Sequence, residues 1–215
     1  MFLLAELLRV KSKQLPLRSE PSISGRIWEY VPRGEIFGKL EENENGKWIK
    51  VSYKGRKGWL YKPCLKLSDP PWMDKARKEL GVNEFPGADN NPRVVDYLNA
   101  TTNLDAATRS KDETPWCSAF VNWVMRETDI EGTKNALARS WQQWGEHIDQ
   151  PYKGCIVVFQ REKKFGHVGF YVGETETHIK VLGGNQQNPE TGIFEVSEKL
   201  YAKKDFLEYR SLAKK

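Results

Sequence analysis

Two different apolar rhythms divide the chain. Over residues 7–67 apolar positions come in short alternating runs, each ended by turn-forming residues. Gly25-Arg26-Ile27-Trp28-Glu29-Tyr30-Val31, Glu35-Ile36-Phe37-Gly38, Lys47-Trp48-Ile49-Lys50-Val51-Ser52-Tyr53 and Gly58-Trp59-Leu60-Tyr61 are such runs. A period of two between Gly, Pro and Asn punctuation predicts strands, and about five of them in some 60 residues predict a small β-barrel. Trp28, Trp48 and Trp59 either fill its core or line a groove on it. The rhythm changes at Ser68-Asp69-Pro70-Pro71, which the composition marks as a linker, so the expected division is 1–67, 68–71 and 72–215.

Beyond the prolines the pattern turns helical. Trp72 to Leu80 is charged and amphipathic and stops at Gly81. Asn91-Pro92 places a capping residue ahead of a first-turn proline and opens a helix to Asn99. A third helix runs from about Trp116 to Arg126, with Phe120, Val121 and Val124 on one face, and a fourth is expected over Asn135 to Trp144. Strands follow: Cys155 to Gln160, His167 to Gly173, His178 to Gly183, Ile193 to Val196 and Leu207 to Leu212. Helices followed by a mostly antiparallel sheet predict an α+β domain.

Candidate chemistry sits at the joints of this pattern. Cys117 opens the third helix, where unpaired N–H groups and the helix dipole favour a thiolate and are expected to lower its pKa. His167 heads an alternating strand, a rigid place from which to hold a base. Asn185 follows Gly183-Gly184 on the next strand. If a three-residue loop sets Glu174 opposite His178, His167 falls directly opposite Asn185, at about 4.5–5.5 Å between Cβ atoms. A slip of one position turns Asn185 to the other face and leaves Gln186 as the alternative third member. The order Cys117, His167, Asn185 is that of a Cys-His-Asn nucleophilic set. Trp116, Ser118, Trp141 and Gln186 lie near enough in sequence or pattern to contact a substrate, although Trp141 and Trp144 also suit a core face.

Composition narrows the classes. The formal charge of +5 arises from 34 Lys and Arg interspersed with 29 Asp and Glu, without the dense basic stripe or reading module of a nucleic-acid binder. Three cysteines at 64, 117 and 155 form neither a disulfide framework nor a Cys-x-x-Cys zinc pair, and no metal or organic cofactor is expected. No run approaches the roughly 20 apolar residues of a membrane span. Met1 to Leu8 is apolar, but it carries Glu6 and has no basic start, so it reads as the lead into the first strand rather than a signal peptide.

Two resemblances fit these patterns. Leu17-Arg18-Ser19-Glu20-Pro21-Ser22, Val31-Pro32-Arg33-Gly34, Gly46-Lys47-Trp48-Ile49-Lys50-Val51 and Gly58-Trp59-Leu60-Tyr61 resemble the bacterial SH3-like domains. Those domains bind cell-wall peptide or dock on a neighbouring catalytic domain. Thr114-Pro115-Trp116-Cys117-Ser118-Ala119-Phe120-Val121, Gly154-Cys155-Ile156-Val157-Val158-Phe159, Gly166-His167-Val168-Gly169-Phe170-Tyr171-Val172-Gly173 and Leu182-Gly183-Gly184-Asn185-Gln186 resemble the NlpC and CHAP families. That resemblance implies a papain-like cysteine hydrolase of peptidoglycan, with Cys117 as nucleophile, His167 as base, Asn185 as orienter and the Cys117 N–H in the oxyanion hole. NlpC enzymes place Asp before the nucleophile, whereas this chain has Trp116.

The expected activity is hydrolysis of a stem-peptide amide, as an endopeptidase or an N-acetylmuramoyl-L-alanine amidase. Without a signal peptide, the expected settings are synthesis in the cytoplasm followed by release as an endolysin or delivery as an antibacterial effector by a type VI secretion machine. Those settings imply an immunity protein or a secretion component as partner. The competing readings are an amidase, deamidase or acyltransferase on a non-wall target, and a wall-binding protein without catalysis.

Overall fold

The computed structural model describes residues 7–161 and 165–212 and divides into two compact units that meet between Asp69 and Pro70. The apolar stretch Met1 to Glu6 lies outside the described residues.

The first unit is all β. Its strands are β1 (Leu7–Val10), β2 (Gln14–Arg18), β3 (Ile27–Pro32), β4 (Ile36–Gly38), β5 (Glu41–Glu42), β6 (Trp48–Tyr53), β7 (Arg56–Tyr61) and β8 (Leu65–Leu67). They form two sheets, ordered β4-β1-β8 and β3-β2-β7-β6-β5. The alternation read from the sequence places Leu8, Val10, Leu15, Leu17, Val31, Phe37, Ile49, Val51 and Leu60 in one core. Trp48 and Trp59 are buried, whereas Trp28 is half-buried against that core with the Arg56 guanidinium 5.2 Å over its ring. Cys64 closes a short 3-10 turn.

The second unit is α+β, as expected. Helices α1 (Pro71–Arg77), α2 (Pro92–Leu98), α3 (Ala106–Arg109) and α4 (Cys117–Arg126) precede β9 (Glu146–His147), β10 (Ile156–Arg161), β11 (Phe165–Glu174), β12 (His178–Gln187), β13 (Phe194–Ala202) and β14 (Phe206–Ser211). The strands pair antiparallel in the order β13-β12-β11-β10-β14-β9. Asn91 caps α2 as its sequence implies, its side chain accepting from Arg93 N at 2.8 Å. The expected helix over Asn135 to Trp144 is instead a 3-10 segment, Ala138–Gln143. There Ala138 and Trp141, three positions apart, fall on one side of the tighter turn and are both buried.

One core lies between the helices and the sheet and contains Trp116, Phe120, Trp123 and Val124 with Val158, Val168, Phe170 and Leu182. A smaller one covers the other face, with Phe159, Val181 and Tyr209. Glu79 joins α1 to α2. Its carboxylate accepts from Arg93 Nε and Nη2, each at 2.8 Å, and from the buried Tyr97 hydroxyl at 2.6 Å.

Candidate active site

Helix α4 opens with Cys117 and packs on the sheet in which strand β11 carries His167. The whole helix apart from Arg126 is buried, so its first residue, Cys117, is packed onto the sheet rather than displayed on a surface. The backbone N–H groups of Val168, Ser118 and Cys117 lie against its sulfur. Val168 is the neighbour of His167 on β11.

The imidazole of His167 is completely buried and held on two sides. Tyr201 of β13 stacks on it, centroids 4.6 Å apart and 19° from parallel, and Phe159 stacks on Tyr201 in turn. Its Nε2 lies 3.2 Å from Gln186 Oε1. The orientation of that amide is fixed from behind, because Gln186 Nε2 donates to the Gly183 and Ser197 carbonyls and to Ser197 Oγ. Oε1 must therefore face the ring, and the ring must carry its proton on Nε2. Nδ1 is left as a buried lone pair with no partner among the described residues.

Asn185 does not take the place expected for it. Near the hairpin's middle the register is the one anticipated, Phe170 opposite Leu182 and Tyr171 opposite Val181. It then slips between Tyr171 and Gly173, setting Glu174 opposite Ile179 rather than His178. On its other edge β12 bulges between Gly183 and Gln186, carrying one residue more than β13 opposite. Inside the bulge Asn185 has φ 54°, a left-handed conformation that asparagine tolerates better than most residues. Its Nδ2 donates to Glu84 Oε1 at 3.2 Å. The extra residue turns Gln186 toward His167, which is the alternative a register slip leaves open.

The other expected substrate contacts are core. Trp116 is completely buried, with Gly184 so close that a Cβ there would lie 2.3 Å from the Trp116 ring. Its Nε1 donates to Glu84 Oε1 at 2.8 Å. Ser118 is buried too, donating to the Asn135 carbonyl at 2.6 Å and accepting from Trp141 Nε1 at 2.9 Å. Helix α4 turns these groups inward because nearly its whole circumference is covered. None of the three walls a groove.

Glu84 is the residue that sequence reasoning missed. It lies in the long α1–α2 connection and is anchored by Glu84 N donating to the Phe194 carbonyl at 3.0 Å. Buried Asp112 accepts from Phe85 N and Asn91 N, each at 2.8 Å, and fixes the same connection from the other side. Burial raises the pKa of Glu84; the Trp116 bond opposes this, nearby Asp112 adds to it, Asn185 opposes it and Glu113 adds again. No local motif marks Glu84, because its partners lie 32 and 101 positions away.

Electrostatics favour a neutral resting pair. Burial pushes the Cys117 thiol up, outweighing the Arg161 charge and the N–H groups of Val168, Ser118 and Cys117 itself. Burial also lowers the His167 pKa well below the usual imidazole value, helped by the charges of Arg161 and Lys199 and opposed by the Gln186 bond. The lowered thiol pKa expected from the helix start is thus overruled by desolvation. Among the described residues no group of His, Cys, Asp and Glu is placed to hold a metal ion, and no helix is long and apolar enough to cross a membrane.

Comparison with known proteins assigns both units. Residues 13–66 match the bacterial SH3 domain model, and residues 109–185 match the CHAP domain model, which includes Cys117, His167 and Asn185. No curated protein matches the chain. Among solved structures, NlpC1 from Trichomonas vaginalis is 16% identical over 99% of this chain and 70% of its own, with a TM-score of 0.38. An NlpC/P60 family protein from Bacillus cereus is 13% identical over 98% of this chain and 64% of its own, with a TM-score of 0.39. These likenesses are distant, and the assignment rests on the two sequence models. Residues 13–66 are thus similar to a bacterial SH3 domain and residues 109–185 to a CHAP domain, and these matches support a hydrolase of the cysteine peptidase and amidase class.

Proposed function

We propose that the second unit cleaves an amide bond of the peptidoglycan stem peptide, with Cys117 as nucleophile, His167 as base and Gln186 as the group that orients the base. The observation that carries this reading is the state of the imidazole. One ring nitrogen is fixed as N–H by Gln186, and the other is a buried lone pair with no partner among the described residues, free to take a proton from a nucleophile.

In the reaction Nδ1 takes the Sγ proton as sulfur bonds to the scissile carbonyl carbon, and the C=O electron pair moves onto oxygen. Backbone N–H groups of the first turn of α4, which have no helical partner, are the donors available to that oxyanion. Collapse breaks the C–N bond, and the imidazolium returns its proton to the leaving amine. Water then attacks the thioester with Nδ1 accepting its proton. The carboxylic acid leaves, and Cys117 is restored.

The bond is either one within the stem peptide or the N-acetylmuramoyl-L-alanine amide. An endolysin and an antibacterial effector both call for this activity. The test is mass spectrometry of purified sacculi after digestion by the wild type and by Cys117→Ala. Fragments with one new amine and one new carboxyl terminus, released by the wild type alone, are expected. Equal release by Cys117→Ala would overturn the mechanism, and no release by the wild type would overturn the substrate.

A further inference from the structure

One carboxylate oxygen touches the residues that precede two members of the set. Trp116 comes directly before Cys117 and Asn185 directly before Gln186, and Glu84 Oε1 accepts from both, at 2.8 Å from Trp116 Nε1 and 3.2 Å from Asn185 Nδ2. We propose that Glu84 is a positioning residue that sets the nucleophile helix against the β12 bulge and so selects Gln186, rather than Asn185, as the partner of the imidazole. This rests on the assignment of Cys117, His167 and Gln186 above.

The bulge needs such a hold. Regular pairing of β12 would continue the register seen at Phe170–Leu182 and set Asn185 opposite His167. The chain instead adopts a left-handed residue at Asn185, a conformation that must be stabilised by what surrounds it. Two contacts do so. Gly184 lies against Trp116, with no room for a side chain there, and the Asn185 amide is tied to Glu84. Glu84 is itself fixed between β13, through the Phe194 carbonyl, and the Asp112-bound loop. The α4 start and the Gln186 side chain therefore share one reference point. Without it Trp116 Nε1 and Asn185 Nδ2 lose their common acceptor, and the bulge is free to relax toward the regular register.

Misplacing a catalytic group by about 1 Å costs about 10²-fold in rate. Glu84→Ala is expected to lower kcat by about that factor with KM nearly unchanged, because Glu84 acts on the geometry of the reacting groups and not on binding. Glu84→Gln keeps an acceptor oxygen in place and is expected to restore most of kcat. Should Glu84→Ala not fold, Trp116→Phe/Asn185→Ala removes both donors while keeping Glu84 and most of the ring packing, and the same loss of kcat is expected.

The readout independent of turnover is exchange of the His167 Nε2 proton followed by NMR, slow in the wild type and faster in the double variant. A folded double variant with kcat and proton exchange both unchanged would overturn the proposal. So would a Glu84→Gln variant as impaired as Glu84→Ala at equal Tm, since charge rather than the brace would then be at work. If the wild type fails to cut sacculi while proton exchange still responds, the brace stands and the substrate reading falls.

Discussion

Gln186→Ala separates the two candidates for the third member. In the folded protein the His167 ring is wholly buried, and Gln186 Oε1 is the only acceptor for its Nε2 proton among the described residues. Truncation leaves a buried N–H without a partner, which costs about 1–3 kcal/mol. The neutral ring has an escape, because the proton can move to Nδ1 and leave no lone pair for the Cys117 proton. If the penalty falls on the productive tautomer, kcat drops by roughly 5- to 150-fold at about 1.4 kcal/mol per tenfold. The assay is kcat on a soluble stem-peptide substrate, with Tm measured in parallel because Gln186 Nε2 also ties Gly183 to Ser197. Asn185→Ala leaves the imidazole bond in place and weakens only one arm of the brace, so its loss should be smaller. The reverse order, with Gln186→Ala near wild type and Asn185→Ala inactive, would refute the assignment of Gln186.

Other outcomes follow from burial and charge. Below about pH 6.5 the unfolded chain takes up a proton at His167 that the folded chain refuses, and above about 8.5 it releases a Cys117 proton that the folded chain keeps. Stability should therefore fall on both sides of that window; His167→Gln should flatten the acid limb of a Tm-against-pH profile, and an unchanged limb would contradict the lowered pKa. Iodoacetamide should label Cys117 slowly near pH 6 and faster as pH rises; fast labelling of Cys117 at pH 6 would mean a resting thiolate. Gly184→Ala puts a Cβ 2.3 Å from the Trp116 ring and should cost about 1–3 kcal/mol by overpacking, with activity falling further than Tm explains. Glu79→Ala strips the buried Tyr97 hydroxyl of its acceptor and leaves Arg93 with Asp96 alone, for a loss of about 1–3 kcal/mol read by denaturant titration, with kcat at saturating substrate retained.

The sequence exposed those parts of the site whose cause is local. A cysteine after Pro115 at the start of an apolar helix, and a histidine at the head of an alternating strand, are placed by periodicities that neighbouring residues set. The barrel strands were legible for the same reason, since each is bounded by its own turn. Asn185 and Gln186 were not distinguishable, because a one-residue bulge decides between them and its support comes from Glu84, 101 positions away, and from Trp116 pressed on Gly184. Trp116 reads as a groove wall from sequence, because the strand that covers it is fixed only by the tertiary fold. The thiol pKa failed in the same way. The helix start argues for a lower value, and that local effect is present in the N–H groups at the sulfur, but burial of the whole α4 start is a tertiary fact and it is larger. Under the proposed mechanism, a buried, neutral Cys117 and His167 still have what acyl transfer requires. The proton need only move from Sγ to Nδ1 as the carbonyl carbon arrives, and a substrate that brings the developing oxyanion to the α4 N–H groups supplies the charge that makes this transfer favourable.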